Sequence, residues 1–485
     1  MRLTFSLIFW VALVALAADA QETTIHDPEE YLSRSLPVLY ITTTDSMPVV
    51  SKDEYLTGTY YLDAEGFDQY ESVGSAENQL PLQIKGRGNA SWRFPKKPYR
   101  LKLDSKAALL GMPKSKHWVL MAAYYEWLAH GRDYLNFIIA KKIGMPWTTG
   151  SVPCEVVLNG DYIGMYFLTE KIRIEKTRVN ITEQQDEETD SVAITGGWLL
   201  EIDNYVEPNQ IVIKDKDGSN LRITYHSPEV LSTQQRDYLV TLMNNVNDAI
   251  NIDNKFGQDS RRWEEYIDLD AMVRFYVMNE VVDNQEAFSG SCWFYKDRGE
   301  DSKLIFGPVW DFGSSMGNRN YDARNFMYEN TVSYVHNHWI QELVKFPRFQ
   351  FALRKYWKIY RDSVYPTMAG EVTAYGQLVR KAMAADYKRW GDKSATEMNY
   401  YLTKYKNLLR NKMNFLASRW NYLPGDINGD EQVDIQDVNA IINLMLGKEG
   451  NYPGCADMVH DEVVDVSDVN YLVSLILKYD FEPIE

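Results

Sequence analysis

From residue 37 onward, apolar and polar positions alternate in short β-rich runs, PVLYITTT, TGTYYLDA, LPLQIKGRGNASW and KKPYRLKLD, each broken by Gly, Pro or Asn. That pattern predicts an N-terminal sheet. The period lengthens over 126–143 (EWLAHGRDYLNFIIAKKI), a helix stopped by Gly144 and Pro146. Two more strands, VPCEVVLNG and YIGMYFLTEKI, flank Asn159-Gly160-Asp161, and an Asn-Gly pair between such runs signals a tight hairpin. Strands resume at GGWLLEIDN and QIVIKD after an acidic stretch at 183–190. Residues 229–285 and 338–420 then carry Leu, Met, aromatics and cations at helical spacing. A β-rich first half and a helical second half predict an α+β domain over 37–423 with a cleft between two lobes. The polar stretch 21–36 reads as a loose leader.

Pro424-Gly425 ends the helical part, and the pattern that follows occurs twice. DINGDEQVDIQD (426–437) precedes VNAIINLMLG, and 31 residues later DMVHDEVVDVSD (457–468) precedes VNYLVSLILKYD. Calcium takes hard oxygens from a 12-residue loop at positions 1, 3, 5, 7, 9 and 12, position 7 acting through its carbonyl. The first loop supplies Asp426, Asn428, Asp430, Gln432, Asp434 and Asp437. The second supplies Asp457, Asp461, Val463, Asp465 and Asp468, with Val459 at position 3 and hence a weaker expected affinity. Glu431 and Glu462 replace the Gly at position 6, and Asp replaces the Glu at position 12, so neither loop is an ordinary EF-hand. Over 424–483 this pair of loop–helix units resembles the dockerin domain. The resemblance implies calcium-dependent folding and docking to a cohesin-type receptor, on a cell surface or on the scaffold of a polysaccharide-degrading cellulosome. Positions 10 and 11, which shape partner choice in dockerins, are Ile435-Gln436 and Val466-Ser467 and so differ between the halves.

Composition sharpens the division. The 485 residues are 45% hydrophobic and 13% aromatic, which supports full cores and excludes a disordered chain. The formal charge is −17, of which −12 falls in 424–485, leaving −5 for the rest. Such a balance argues against nucleic acid as a partner, while the nearly neutral larger domain has room for a local basic cluster at 85–102. At the N-terminus, one Arg precedes a 16-residue apolar run (3–18) and an Ala18-Asp19-Ala20 cleavage pattern. This predicts a secretory signal over 1–20, too short for the roughly 20 apolar residues that span a bilayer. The mature protein is expected to be secreted or cell-surface-associated, with no transmembrane helix. Three cysteines, Cys154, Cys292 and Cys455, cannot all pair within one chain; a Cys154–Cys292 bridge stays open.

The larger domain carries a Gly86/Gly88 turn followed by a strand bearing Lys96, Lys97, Arg100 and Lys102 (IKGRGNASWRFPKKPYRLKL), a combination suited to polyphosphate. LLGMPKSKHWVLMAAY, VVLNGDYIGMYFLTEKI, GGWLLEIDN, VMNEVVDNQEAF and FGPVWDFGSSMGN follow in that order. The ordered series resembles the spore coat protein H (CotH) kinase family, an atypical protein-kinase-like fold with a β-rich N-lobe and a helical C-lobe. The resemblance implies ATP with Mg2+ or Mn2+ in the cleft and phosphoryl transfer to hydroxyls of a protein substrate. It makes Asp283 the catalytic-loop carboxylate and Asp311 of Trp310-Asp311-Phe312-Gly313 the metal ligand. Lys97 or Lys102 would neutralise phosphates with help from Arg87, and Glu170 would anchor a lysine or lie near the adenine. Two positions depart from the family's pattern: Gly313 stands where a second aspartate is usual, and Arg132-Asp133 where Arg-Asn is usual.

Two other readings stand beside it. Gly313-Ser314-Ser315-Met316-Gly317 fits the G-x-S-x-G nucleophile elbow of esterases, with Ser315 as nucleophile. A non-catalytic structural or binding component of a polysaccharide-degrading assembly needs only the C-terminal module. His336-Asn337-His338 spells HNH without the surrounding metal-finger pattern and reads as a loop or helix start.

Overall fold

The computed structural model describes residues 25–124, 130–255, 258–316, 322–329, 338–391, 395–430, 432–448, 450, 456–459 and 463–478. The predicted signal, Cys455, Asp461, His336 and Asn337 lie outside the described residues.

The alternating runs close on themselves. Strands β1 (Val38–Thr43), β2 (Leu56–Asp63), β3 (Leu80–Gly86), β4 (Tyr99–Ala107), β5 (Ser115–Met121), β6 (Ser151–Leu158) and β7 (Asp161–Glu170) form a closed barrel in the order β1-β2-β3-β4-β5-β7-β6. Its one parallel seam joins β1 to β6. Leu39, Leu62, Ile84, Leu101, Trp118 and Leu168 fill the interior, and closure leaves no sheet edge to aggregate. Alternation does not reveal β5, because Trp118-Val119-Leu120 is buried on both faces.

A second sheet has the order β12-β11-β8-β10-β9, with β8 (Trp198–Ile202), β9 (Gln210–Lys214), β10 (Asn220–Ser227), β11 (Cys292–Lys296) and β12 (Ile305–Phe306). Strands β11 and β12 come from within the helical half, so the two halves interleave instead of following one another. Antiparallel pairing of β11 with β8, Trp293 opposite Glu201, requires the chain to return through the helices first. Of the helices, α1 (Pro28–Tyr31) and α2 (Arg132–Lys142) precede β8, α3 (Thr233–Ile250) and α4 (Leu269–Val281) lie between β8 and β11, and α5 (Ile340–Leu343), α6 (Pro347–Ile359), α7 (Tyr365–Trp390) and α8 (Ala395–Trp420) come after β12, followed by α9 (Ile435–Met445) and α10 (Val466–Lys478). The last two pack over Ile427, Ile441, Leu472 and Leu475 as a separate small core, to which Leu423 and Phe351 connect it. Among the described residues, no helix is long and apolar enough to cross a membrane.

Two sequence expectations are corrected. Residues 25–36 are pinned: Ser33 donates through N and Oγ to the buried Glu155 (2.9 and 2.7 Å), His26 N donates to Asp161 (2.7 Å), and Leu36 is buried. Glu155 lies inside the protein and needs these donors. Cys154 and Cys292 are both free, one inside the barrel and one in the helical core, so no bridge joins them.

The barrel meets the helices along α7. Lys96, fully buried between β3 and β4, donates to Asp386 Oδ1 of α7 (2.6 Å) and to Met165 O of β7 (2.5 Å), while Met165 N donates to the same Asp386 oxygen (2.8 Å). Gly164 makes room for it, since a Cβ there would sit 2.1 Å from Asp386 Oδ1. Asp386→Ala would strand a buried ammonium and an amide, with an expected cost of about 3–5 kcal/mol. Denaturant unfolding should show the double variant Lys96→Met/Asp386→Leu losing less than Asp386→Ala alone.

Candidate functional site

Strand alternation sorts β3 and β4 into two faces. Leu82, Ile84, Tyr99, Leu101 and Leu103 point into the barrel, so Gln83, Lys85, Arg100 and Lys102 point outward. Register then sets Lys85 opposite Arg100, and Lys102 between Gln83 and His117. Beyond β7 the chain reads Lys171-Ile172-Arg173-Ile174. The isoleucines bury with Leu199 and Trp293 against the second sheet, and the cations alternate with them toward the barrel's outer face.

These cations crowd one another. Burial first, then Arg100 and Arg173, pushes Lys171 down to about 7. Burial, together with Arg173 and Lys171, pushes His117 down to about 3. Lys85 is lowered by burial and by Arg100. Among the described residues, the buried Arg100 Nε, Arg173 Nε and His117 Nδ1 have no hydrogen-bond partner. The two guanidinium N–H groups are buried donors left without acceptors, which is costly, and such donors suit an anionic ligand.

Arg87 links this wall to the opposite one. Its guanidinium lies over the Trp310 ring (5.7 Å), and burial lowers its pKa against the opposing fields of Asp311, Asp133 and Glu201. Asp311 is exposed, in a left-handed backbone conformation (φ 54°), and accepts from Gly313 N (3.2 Å). Helix α2 clamps its neighbours: Arg132 Nη1 donates to Gly313 O (2.6 Å), and Asp133 Oδ1 accepts from Phe312 N (3.1 Å). Nearby on the second sheet, Glu201 Oε2 lies 2.7 Å from His226 Nε2, and His226 stacks on Trp293 (4.2 Å). Burial, then Glu201, pushes Asp203 up to about 6.

Asp283 follows the end of α4, also left-handed (φ 47°). It is fully buried; Oδ1 accepts from Lys412 Nζ of α8 (2.8 Å) and Oδ2 from Gln285 Nε2 (3.3 Å). Met316 N donates to Val282 O (3.1 Å), tying the Asp311 segment to the Asp283 segment. Both carboxylate oxygens of Asp283 are thus engaged within the fold.

Several sequence-named residues have other duties. Lys97 donates to Trp92 O (2.7 Å) and lies over the Trp92 ring, while Lys102 shares the outer face with Arg100 but is exposed. Gly86 N and Arg87 N donate to Ser51 O and Pro98 O, so these turn amides are engaged within the fold. The glycine at 86 is required because a Cβ would meet the Trp92 ring at 2.3 Å. Glu170 accepts from Gly150 N (2.9 Å) and Arg178 Nε (3.3 Å), anchoring an arginine instead of a lysine. Ser315 is fully buried and accepts from Asn136 Nδ2 (3.2 Å), the opposite of the exposed nucleophile an elbow presents. His338 is buried, with Nδ1 2.5 Å from Asp215 Oδ2. Arg100 is named by sequence only as one of the cations on its strand, and Lys171, Arg173 and Lys412 are not named at all. The alternation in Lys-Ile-Arg-Ile and a lysine on the apolar stripe of Tyr405, Leu409 and Leu416 were the available signals.

The C-terminal loops repeat in three dimensions. Asp437 Oδ1 accepts from Ile427 N and Asn428 N, and Oδ2 from Asp434 N. Asp468 repeats this with Met458 N, Val459 N and Asp465 N. Asp426 accepts from Gly429 N and Asp430 N, and Asp430 from Gln432 N, while Val463 is exposed. Among the described residues, no three His, Cys, Asp or Glu side chains stand together as a metal cage.

Residues 84–423 match the family described as CotH kinase protein. No curated protein matches the chain. The cationic wall makes one stability prediction independent of ligand. Lys171 is charged below about 7 in the folded chain but up to about 10.5 when unfolded, so it destabilises at low pH and the penalty fades as pH rises between those values. Lys171→Met should raise the melting temperature at pH 6, with the gap to wild type closing toward pH 10.

Proposed function

The chain belongs to the CotH kinase family, and on that premise we propose that it is an atypical kinase transferring the γ-phosphoryl group of ATP to hydroxyls of a protein substrate. The observation that carries this reading is the pair of unpartnered, buried Arg100 and Arg173 Nε donors on one wall, bridged by Arg87 to an exposed Asp311. A polyphosphate fits that donor set. Mg2+ fits as well, because it keeps several waters and needs only one or two carboxylates alongside phosphate oxygens, so Gly313 in place of a second aspartate does not empty the site. Bound nucleotide and metal would supply the phosphoryl group and neutralise its charge. Arg87, Arg100, Lys171 and Arg173 bind and orient the phosphates, Asp311 holds the metal, and Asp283 orients the acceptor hydroxyl.

Calorimetry with ATP and Mg2+ or Mn2+ should show binding that Arg100→Ala weakens by about 10-fold or more, the value of a charge-assisted hydrogen bond. Asp311→Ala should abolish the metal dependence. Absence of nucleotide binding by the wild type would sink the kinase reading and favour a non-catalytic component of a larger assembly.

The repeated aspartate geometry around Asp437 and Asp468 supports a second element of the proposal: a dockerin at 424–483 that binds Ca2+ and docks a secreted chain to a cohesin-type receptor. The apolar run at 3–18 supports export. Calcium is expected to raise the melting temperature of the C-terminal module, and Asp437→Ala to remove most of that gain. A module whose unfolding ignores both calcium and chelator would contradict the docking element while leaving the kinase reading intact.

A further inference from the structure

Lys412 sits on the buried face of α8, where its stripe neighbours are Tyr405, Leu409 and Leu416. A lysine there is costly unless paired. Its Nζ lies 2.6 Å from Glu280 Oε1 and 2.8 Å from Asp283 Oδ1, both buried carboxylates at the end of α4, and it donates to Asn325 O (2.7 Å). Glu280 in turn accepts from Met327 N (3.0 Å), so segment 322–329 lies against the same group. Burial works against the Lys412 ammonium, but Glu280 and Asp283 outweigh it and hold its pKa above the ordinary lysine value. Burial raises Glu280 despite Lys412. The other titratable groups facing the cluster are the Tyr276 hydroxyl, Tyr328, Glu329, and Asp322 with its partner Arg324.

From this geometry we infer that Lys412 is the positioning residue of Asp283, fixing its carboxylate through a 2.8 Å charge-assisted hydrogen bond in a left-handed turn beside a second buried carboxylate. The inference rests on the reading of Asp283 as the group that orients the acceptor hydroxyl. Two carboxylates that share one ammonium can both stay ionised; without it, one of them must take a proton. A protonated carboxyl keeps a carbonyl oxygen that can accept a hydrogen bond, but it can no longer take the hydroxyl's proton. Helix α8 thereby couples the acceptor site to the chain's C-terminal half.

The test uses the full chain as wild type, Lys412→Arg, Lys412→Met and Lys412→Met/Glu280→Gln, the last retaining one fewer buried charge in case the single variant fails to fold. Two readouts are taken: the pH profile of phosphoryl transfer at saturating ATP with Mg2+, and the carboxylic-acid C=O band in infrared spectra without nucleotide. Lys412→Met should move the acid limb of kcat upward by about one pH unit or more and lower kcat at least about tenfold. Its KM for ATP should stay within about twofold, because uniform binding of the nucleotide is untouched. A new infrared acid band should persist at neutral pH, and Lys412→Arg should restore most of the rate. In the double variant Asp283 no longer competes with a second carboxylate, so the band should weaken and kcat should recover in part. A folded Lys412 variant with unchanged pH profile, unchanged kcat and no new band overturns the inference. Appearance of the band in a chain that transfers no phosphate upholds the Lys412 assignment and overturns the kinase reading alone.

Discussion

One buried ammonium decides how the two halves of this domain face each other. Lys96 enters between β3 and β4, and its ammonium donates to Asp386 of α7 and to a β7 carbonyl. Asp386 also accepts from the backbone of β7, so barrel and helix share a polar joint whose members cannot separate without stranding charge in an apolar interior. Around that joint, Arg389 Nε donates to Tyr162 O and Trp390 Nε1 to Ile163 O, which extends the seam along β7. With α7 locked to β7, the outward face of β3, β4 and β5 is held over the Asp311 turn.

That cleft is assembled against local preference. Asp283 and Asp311 both adopt positive φ, cations stand within each other's field, and buried donors lack acceptors. Each feature costs stability, and such costs gather where a ligand is to be bound and oriented. The scaffold offsets them with rigid support. Helix α2 clamps the Asp311 turn through Arg132 and Asp133, and α8 holds Asp283 through Lys412. The two acidic segments are further joined by the Met316–Val282 hydrogen bond, so neither carboxylate is placed by its own loop alone.

The C-terminal module follows another logic. Its acidity is local: −12 of the −17 formal charge lies in 424–485, which leaves the larger domain nearly balanced and able to present a cationic wall, while Asp437 and Asp468 are buried and accept the N–H groups of their own loops. Net charge describes the module, and local alternation describes the cleft.

Much of the fold was legible from periodicity. Period-2 runs located β1 to β4 and β6 to β9, helical spacing located α3, α4 and α6 to α8, and the repeat located both loop–helix units. β5 escaped because Trp118-Val119-Leu120 is buried on both faces and no turn signal sets it off, whereas β6 and β7, equally buried, are marked by the Asn159-Gly160 turn between them. The candidate site was legible only in part. Asp283 and Asp311 were named through resemblance, and Arg87 through its turn. Lys97 and Lys102 were chosen over Arg100 because spacing along a strand tells which residues share a face, not which end of it meets the other lobe. Amides of the Gly turn looked free because Ser51 and Pro98 are brought to them only by the barrel. The sequence by itself determined most of the elements, the repeated loop–helix units and the presence of a cation-rich strand, since those depend on neighbours in the chain. Tertiary structure alone decided which cations stand without partners, that Lys96 and Lys412 serve as buried ties, and that Asp311 is open while Asp283 is covered, because each depends on groups brought together from distant segments.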